Sequence, residues 1–164
     1  GHSLMISSSV RRGLNGGRKP NIITSLELRS EEMEVINLRI QKKYKEIEEK
    51  EVRFEEYLLE DAEYAIVAFG SAARIAKKSI EIARSQGIKV GLLRPITLWP
   101  FPTKEVQKLA GKVKGILSLE INAGQMVEDI RLAVEGKVPV QHFGRLGGII
   151  PDPDEVVDAI KRLF

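Results

Sequence analysis

Four short apolar runs, at 64–69, 89–93, 115–119 and 138–143, are each followed by a stretch of helical periodicity. No other feature constrains the fold of this chain as tightly. Tyr64–Phe69 leads through Gly70-Ser71 into a segment where Ile75, Ile80, Ile82 and Ala83 mark a helix ending near Gly87. Lys89–Leu93 closes at Arg94-Pro95, and a helix through Val106 and Leu109 follows Trp99-Pro100-Phe101-Pro102. Gly115–Leu119 precedes a helix over Val127–Val134. Val138–Phe143 precedes a last helix that starts after Pro151 and Pro153 and carries Val156, Val157, Ile160 and Leu163. Buried strands alternating with amphipathic helices predict a parallel sheet covered on both faces. Arg53–Leu59 either adds an antiparallel edge strand or prolongs the helix before it.

Upstream of this pattern the composition changes. Gly1-His2-Ser3-Leu4 reads as an expression-tag scar, and residues 5–29 read as a linker in which Gly13, Gly16, Gly17 and Pro20 punctuate a Ser- and Arg-rich stretch. Residues 30–53 read as a charged helix with Met33, Ile36, Ile40, Tyr44 and Ile47 on one face and Ser30 as its cap. So narrow an apolar stripe needs a cover, from the following domain or from a partner chain. Residues 54–164 form the α/β domain.

Composition narrows the chemistry. Lys and Arg number 26 against 23 Asp and Glu, interleaved along the chain, so no basic face for nucleic acid is expected. The chain has no cysteine, which excludes disulfides, thiol catalysis, thiolate-bound zinc and an iron–sulfur cluster held by these residues. No apolar run approaches the ~20 residues of a membrane span, and a cytoplasmic location is expected. High charge with few Asn and Gln suggests a thermophilic source.

The candidate site lies where parallel strands end, the rim on which such sheets bind ligands and partner domains. Ser71 follows the first run, Arg94 the second, Glu120, Asn122 and Gln125 the third, and Arg145 the fourth. Ser71 serves as an N-cap or, with Gly70, holds an anion at a helix N-terminus. Neither GxGxxG nor GxxxxGK[ST] occurs, and Arg94-Pro95 stands where a dinucleotide fold carries its ribose-binding acid. Turns do not require Arg94, Glu120 or Arg145, so an ion-pair network at an interface is expected of them. His142 sits in an apolar context and reads as a packed or hydrogen-bonded core histidine. Leu98–Pro102 is a stiff apolar corner that serves either internal packing or docking, with internal packing favoured.

Several segments in this order resemble the C-terminal part of the alpha subunit of 2-oxoacid:ferredoxin oxidoreductases, in particular the 2-oxoisovalerate type. They are Asn21–Leu26, Ile66–Ser71, Lys89–Pro102, Glu120–Asp129 and Phe143–Gly148. The resemblance implies a transketolase C-terminal-like domain, a three-layer α/β/α sandwich around a mixed, mostly parallel five-stranded sheet. It implies a complex that decarboxylates a 2-oxoacid oxidatively to acyl-CoA and reduces ferredoxin, using thiamine diphosphate, Mg2+, iron–sulfur clusters and coenzyme A. A thiamine-binding beta subunit and iron–sulfur or gamma subunits are the implied partners, and the alpha subunit is expected to be capable of forming a homodimer. The GDG…N signature for the diphosphate is absent here. This stretch is therefore expected to bind none of these cofactors, to be inactive alone and to serve assembly. The alternative is a stand-alone module binding a small anion or nucleotide at Ser71, Gln125 and Arg145.

Overall fold

In the computed structural model, which describes residues 27–163, each apolar run becomes a strand. Helix α1 spans Ser30–Lys50, β1 Phe54–Tyr57, β2 Tyr64–Ala68, α2 Gly70–Ser85 and β3 Val90–Pro95. Then come α3 Thr103–Ala110, β4 Gly115–Glu120, α4 Met126–Val134, β5 Val140–Gly144 and α5 Pro153–Lys161. The expression-tag reading and the Asn21–Leu26 segment lie outside the described residues, as does most of the linker. No described helix is long and apolar enough to cross a membrane.

The strand order is β1-β3-β2-β4-β5. β3, β2, β4 and β5 run parallel, and β1 lies antiparallel on the β3 edge, with Phe54 opposite Pro95 and Tyr57 opposite Leu92. Successive side chains point to opposite faces, so each central strand feeds two cores. Ile66, Leu92, Leu117 and Leu119 pack under α2 and α5. Ala65, Val67, Leu93 and Ile116 pack under α3 and α4. This is the expected three-layer sandwich, and all six residues of β4 are buried at its centre.

The short return from β1 to β2 is set by one close approach. A Cβ at Gly91 would lie 2.4 Å from the Leu58 carbonyl oxygen, so only glycine lets the return cross β3. Arg84 donates to that same carbonyl (2.7 Å) and pairs with Asp61 (2.7 Å), tying α2 to the loop. The guanidinium also holds the Asp61 carboxyl below the usual carboxylate range.

The chain divides into a unit ending at Gln41 and a second unit, Lys42–Phe164. α1 begins in the first and ends in the second, and none of its residues is buried. Met33, Ile40 and Ile47 are half-covered, while Ile36 and Tyr44 are exposed. Two capping assignments are corrected by the structure. The Met33 N–H donates to the Arg29 carbonyl (3.0 Å), so α1 starts from Arg29, held by Glu27, and Ser30 already lies in the first turn. Likewise α2 starts from Phe69 with no side-chain cap, because Gly70 turns the chain directly into the helix and leaves Ser71 inside it.

Candidate functional site

The β4–α4 junction gathers three of the six candidate residues. Glu120 ends the central strand with 1% of its surface exposed, pointing to the α4 side of the sheet. Its Oε2 accepts the N–H groups of Gln125 (3.1 Å) and Met126 (2.9 Å). Its Oε1 accepts the Val127 N–H (3.0 Å) and the Ser118 hydroxyl (2.9 Å). The first N–H groups of a helix have no partner within it and carry the positive end of its dipole. Glu120 therefore acts as a capping anion delivered from a neighbouring strand. Burial works to raise its pKa, but the hydrogen bonds from Met126, Gln125, Ser118 and Asn122 outweigh it, and the carboxyl is held below its ordinary 4.5.

Asn122 closes the loop between them by accepting the Gly124 N–H at Oδ1 (2.7 Å). Gln125 takes the N-cap position and contributes its backbone rather than its side chain, which makes no cap bond. His142 Nδ1 lies 3.6 Å from Glu120 Oε1, half-buried and without a hydrogen bond. The internal placement expected of this histidine is observed, though not its hydrogen bonding. Gly144 lies tight against the same loop, since a Cβ there would stand 2.4 Å from the Asn122 carbonyl oxygen and 2.8 Å from His142 Nε2.

The other candidates are engaged elsewhere. Arg94 lies opposite Glu55 in the β1–β3 ladder and donates to its carboxylate (2.9 Å), while Lys77 approaches the same oxygen at 3.9 Å. Arg94 Nε is buried without a partner. Arg145 pairs with Glu155 through both Nε (3.3 Å) and Nη2. Glu155 in turn closes a capping box with Asp152 at the start of α5. The Asp152 N–H, then the Arg145 guanidinium, hold the Glu155 carboxyl below its ordinary range. Ser71 is exposed on the first turn of α2. Arg94, Glu120 and Arg145 thus belong to three separate local arrangements and not to one network. Each finds its nearest partner within its own pair of elements. Among the described residues no group of three or more His, Asp or Glu converges as a metal site would.

The Leu98–Pro102 corner divides between the two roles foreseen for it. Pro100 and Pro102 are buried and Phe101 packs on the α3–α4 core. Leu98 and Trp99 stand outward, at 46% and 55% exposure, with Tyr44 edge-on to the Trp99 ring at 5.4 Å between centroids. Sequence reasoning did not anticipate the helix-capping role of Glu120. The signal available was a glutamate at a strand end, followed five residues later by a helix lacking a good N-cap side chain.

Residues 62–156 match the family described as pyruvate:ferredoxin oxidoreductase core domain II. The chain is 45% identical over 143 residues to the ketoisovalerate oxidoreductase subunit VorB of Methanothermobacter thermautotrophicus, covering 87% of this chain and 40% of that protein. It is 30% identical over 104 residues to the 2-oxoglutarate synthase subunit KorA of Methanothermobacter marburgensis, covering 63% of this chain and 28% of that one. The chain therefore spans well under half the length of these relatives. Among solved structures, the 2-oxoglutarate:ferredoxin oxidoreductase of Magnetococcus marinus, with 2-oxoglutarate, coenzyme A and succinyl-CoA bound, superposes with a TM-score of 0.71. The identity is 22%, over 84% of this chain and 24% of that one. A split-gene transketolase, an inactive beta4 tetramer, gives a TM-score of 0.58 at 16% identity, over 66% of this chain and 41% of that one. The two structural matches establish the shared fold.

Proposed function

Because the chain belongs to the pyruvate:ferredoxin oxidoreductase core domain II family, we propose that it is the non-catalytic, assembly-directed part of the alpha subunit of a 2-oxoacid:ferredoxin oxidoreductase. In this reading residues 54–164 are the assembly domain and the 30–53 segment ties it to the rest of the subunit. The full complex converts a 2-oxoacid, of the branched 2-oxoisovalerate class, to its acyl-CoA and passes the electrons to ferredoxin. Thiamine diphosphate, iron–sulfur clusters and coenzyme A supply the chemistry there. The residues of this chain do not fit the first two groups, having neither the GDG…N signature nor any cysteine. Partner subunits hold these groups.

One observation carries the assembly role. The strand-end charges are consumed within the chain, while Ile96, Leu98, Trp99, Leu146, Ile149 and Ile150 stand exposed on the loops of the same rim. Turn chemistry does not call for exposed apolar side chains, and a covering protein surface does. The test is anaerobic production of the complete subunit with its partner subunits, with residues 54–164 present or deleted. The readout is viologen reduction by 2-oxoacids, dependent on coenzyme A and thiamine diphosphate. Deletion is expected to abolish activity by dissociating the complex. An intact, active complex after deletion overturns the assembly role.

A further inference from the structure

Beside the Leu98–Pro102 corner lies an open groove of 640 Å³ with an unusual lining. Phe54, Trp99 and Phe101 line it together with Glu48, Glu49 and Glu105. Glu105 pairs loosely with Lys108 at 3.8 Å, and neither Glu48 nor Glu49 forms an ion pair among the described residues. Lys104 is the one cation on the lining. The groove thus combines a half-exposed tryptophan, in edge contact with Tyr44, with an excess of negative charge.

That pairing selects a class of occupant. Phosphates, nucleotides and carboxylates are repelled by the glutamates. A purely aliphatic helix would bury their charge without compensation. A guanidinium or ammonium group on an apolar stem satisfies both parts, stacking over the Trp99 face while donating to the carboxylates. The receptor is also stiff. Thr97 Oγ1 accepts the Arg53 N–H (3.0 Å) and donates to the Pro100 carbonyl (2.9 Å). The Ile96 and Thr97 N–H groups donate to the Arg53 carbonyl at 2.9 and 3.2 Å. A loop fixed before binding loses little entropy on binding, and tryptophan is the residue most enriched at the centres of tight interfaces.

We propose that this groove receives an arginine- or lysine-bearing segment of a neighbouring subunit, with Trp99 as the stacking surface and Glu48 and Glu49 as the charge partners. The proposal rests on the assembly reading and names its contact point. To test it, p-benzoylphenylalanine replaces Lys104 in the complete subunit, which is co-produced with its partner subunits and irradiated. The cross-linked peptide, identified by mass spectrometry, is expected to come from a different subunit and to contain arginine or lysine. A cross-link to the same subunit, to a second copy of it, or to an acidic or uncharged segment overturns the proposal, as does the absence of any cross-link. In parallel, Trp99→Ala and the double change Glu48→Lys with Glu49→Lys are each expected to weaken subunit association at least ten-fold, read by analytical ultracentrifugation. If deleting residues 54–164 dissociates the complex while these substitutions leave its affinity unchanged, the groove proposal alone fails. If the deletion leaves the complex intact, the assembly reading fails and takes the groove with it.

Discussion

At the end of β4 the chain turns a charge inward, and at the end of β3 it turns its single tryptophan outward. Both loops lie on the same rim of the same sheet, and each joins a buried strand to an amphipathic helix. The β4–α4 loop satisfies its own needs. A carboxylate that would be costly to bury alone takes up three backbone N–H groups and a hydroxyl, so strand, loop and helix form one closed polar unit. The β3–α3 loop is equally well held, through Thr97 and Arg53, yet it spends those hydrogen bonds on presenting Leu98 and Trp99 to the outside. Rigidity therefore does not distinguish structure from function here. The direction in which the rigid loop points its costly groups does.

The contrast makes graded predictions for substitutions on the two loops. Glu120→Ala leaves the N–H groups of Gln125, Met126 and Val127 without their acceptor and should destabilise the chain by roughly 3 kcal/mol, read as a lower urea midpoint with unchanged slope. Gly144→Ala forces a Cβ against the Asn122 carbonyl and should cost about 2 kcal/mol in the same assay. If either proves neutral, the β4–α4 unit is looser than its geometry implies.

Acid should expose the same carboxylate. Because the Glu120 pKa is depressed on folding, its stabilisation is fully present above its unfolded value, near 4.5, and is lost as pH falls through the folded value. Asp61 and Glu155 are shifted the same way and will add to the slope. Glu120→Gln should therefore flatten, without abolishing, the loss of stability below about pH 4.5 in denaturation curves taken across pH. An unchanged slope would mean that folding does not lower the Glu120 pKa.

The smaller effects belong to the surface. Glu55→Gln removes a largely exposed partner of Arg94 and should change stability by less than about 1 kcal/mol. Trp99→Ala should shift it by no more than about 0.5 kcal/mol in the isolated chain, because the side chain is mostly in solvent. A large loss of stability at Trp99 would erase the contrast and turn the corner into core.

How much of this was legible from the residues follows from the range of the forces involved. The parallel sheet was readable because Tyr64–Ala68, Val90–Leu93 and Gly115–Leu119 are buried on both faces and leave runs that no exposed element would show. Arg53–Leu59 stayed ambiguous because an edge strand such as Phe54-Glu55-Glu56-Tyr57 is itself mostly charged or exposed, and borders a charged helix. The caps at Ser30 and Ser71 were misplaced by a residue or more, since Glu27 and Gly70 set those starts by geometry that residue preference does not encode. Glu120 was singled out as a residue no turn requires, but its task depends on N–H groups five to seven positions on, brought back only when the loop closes. His142 could be placed inside by its neighbours, but not beside Glu120, because that contact crosses from β5 to β4.

The reversed direction of β1 has a mechanical consequence. Arg53, just before it, is anchored to Ile96 and Thr97 on the carboxyl rim, whereas Leu163, at the far end of the described chain, abuts Gly115 on the opposite rim. A tether pulling on these two points draws along the strand axes and loads the β1–β3 ladder in shear, with its hydrogen bonds strained together. Were β1 parallel, Arg53 would sit on the amino rim, the same rim as Leu163, and a pull across the sheet would open the ladder one bond at a time. The orientation of one four-residue strand thus lets the sheet transmit tension between its two rims without unzipping at its edge.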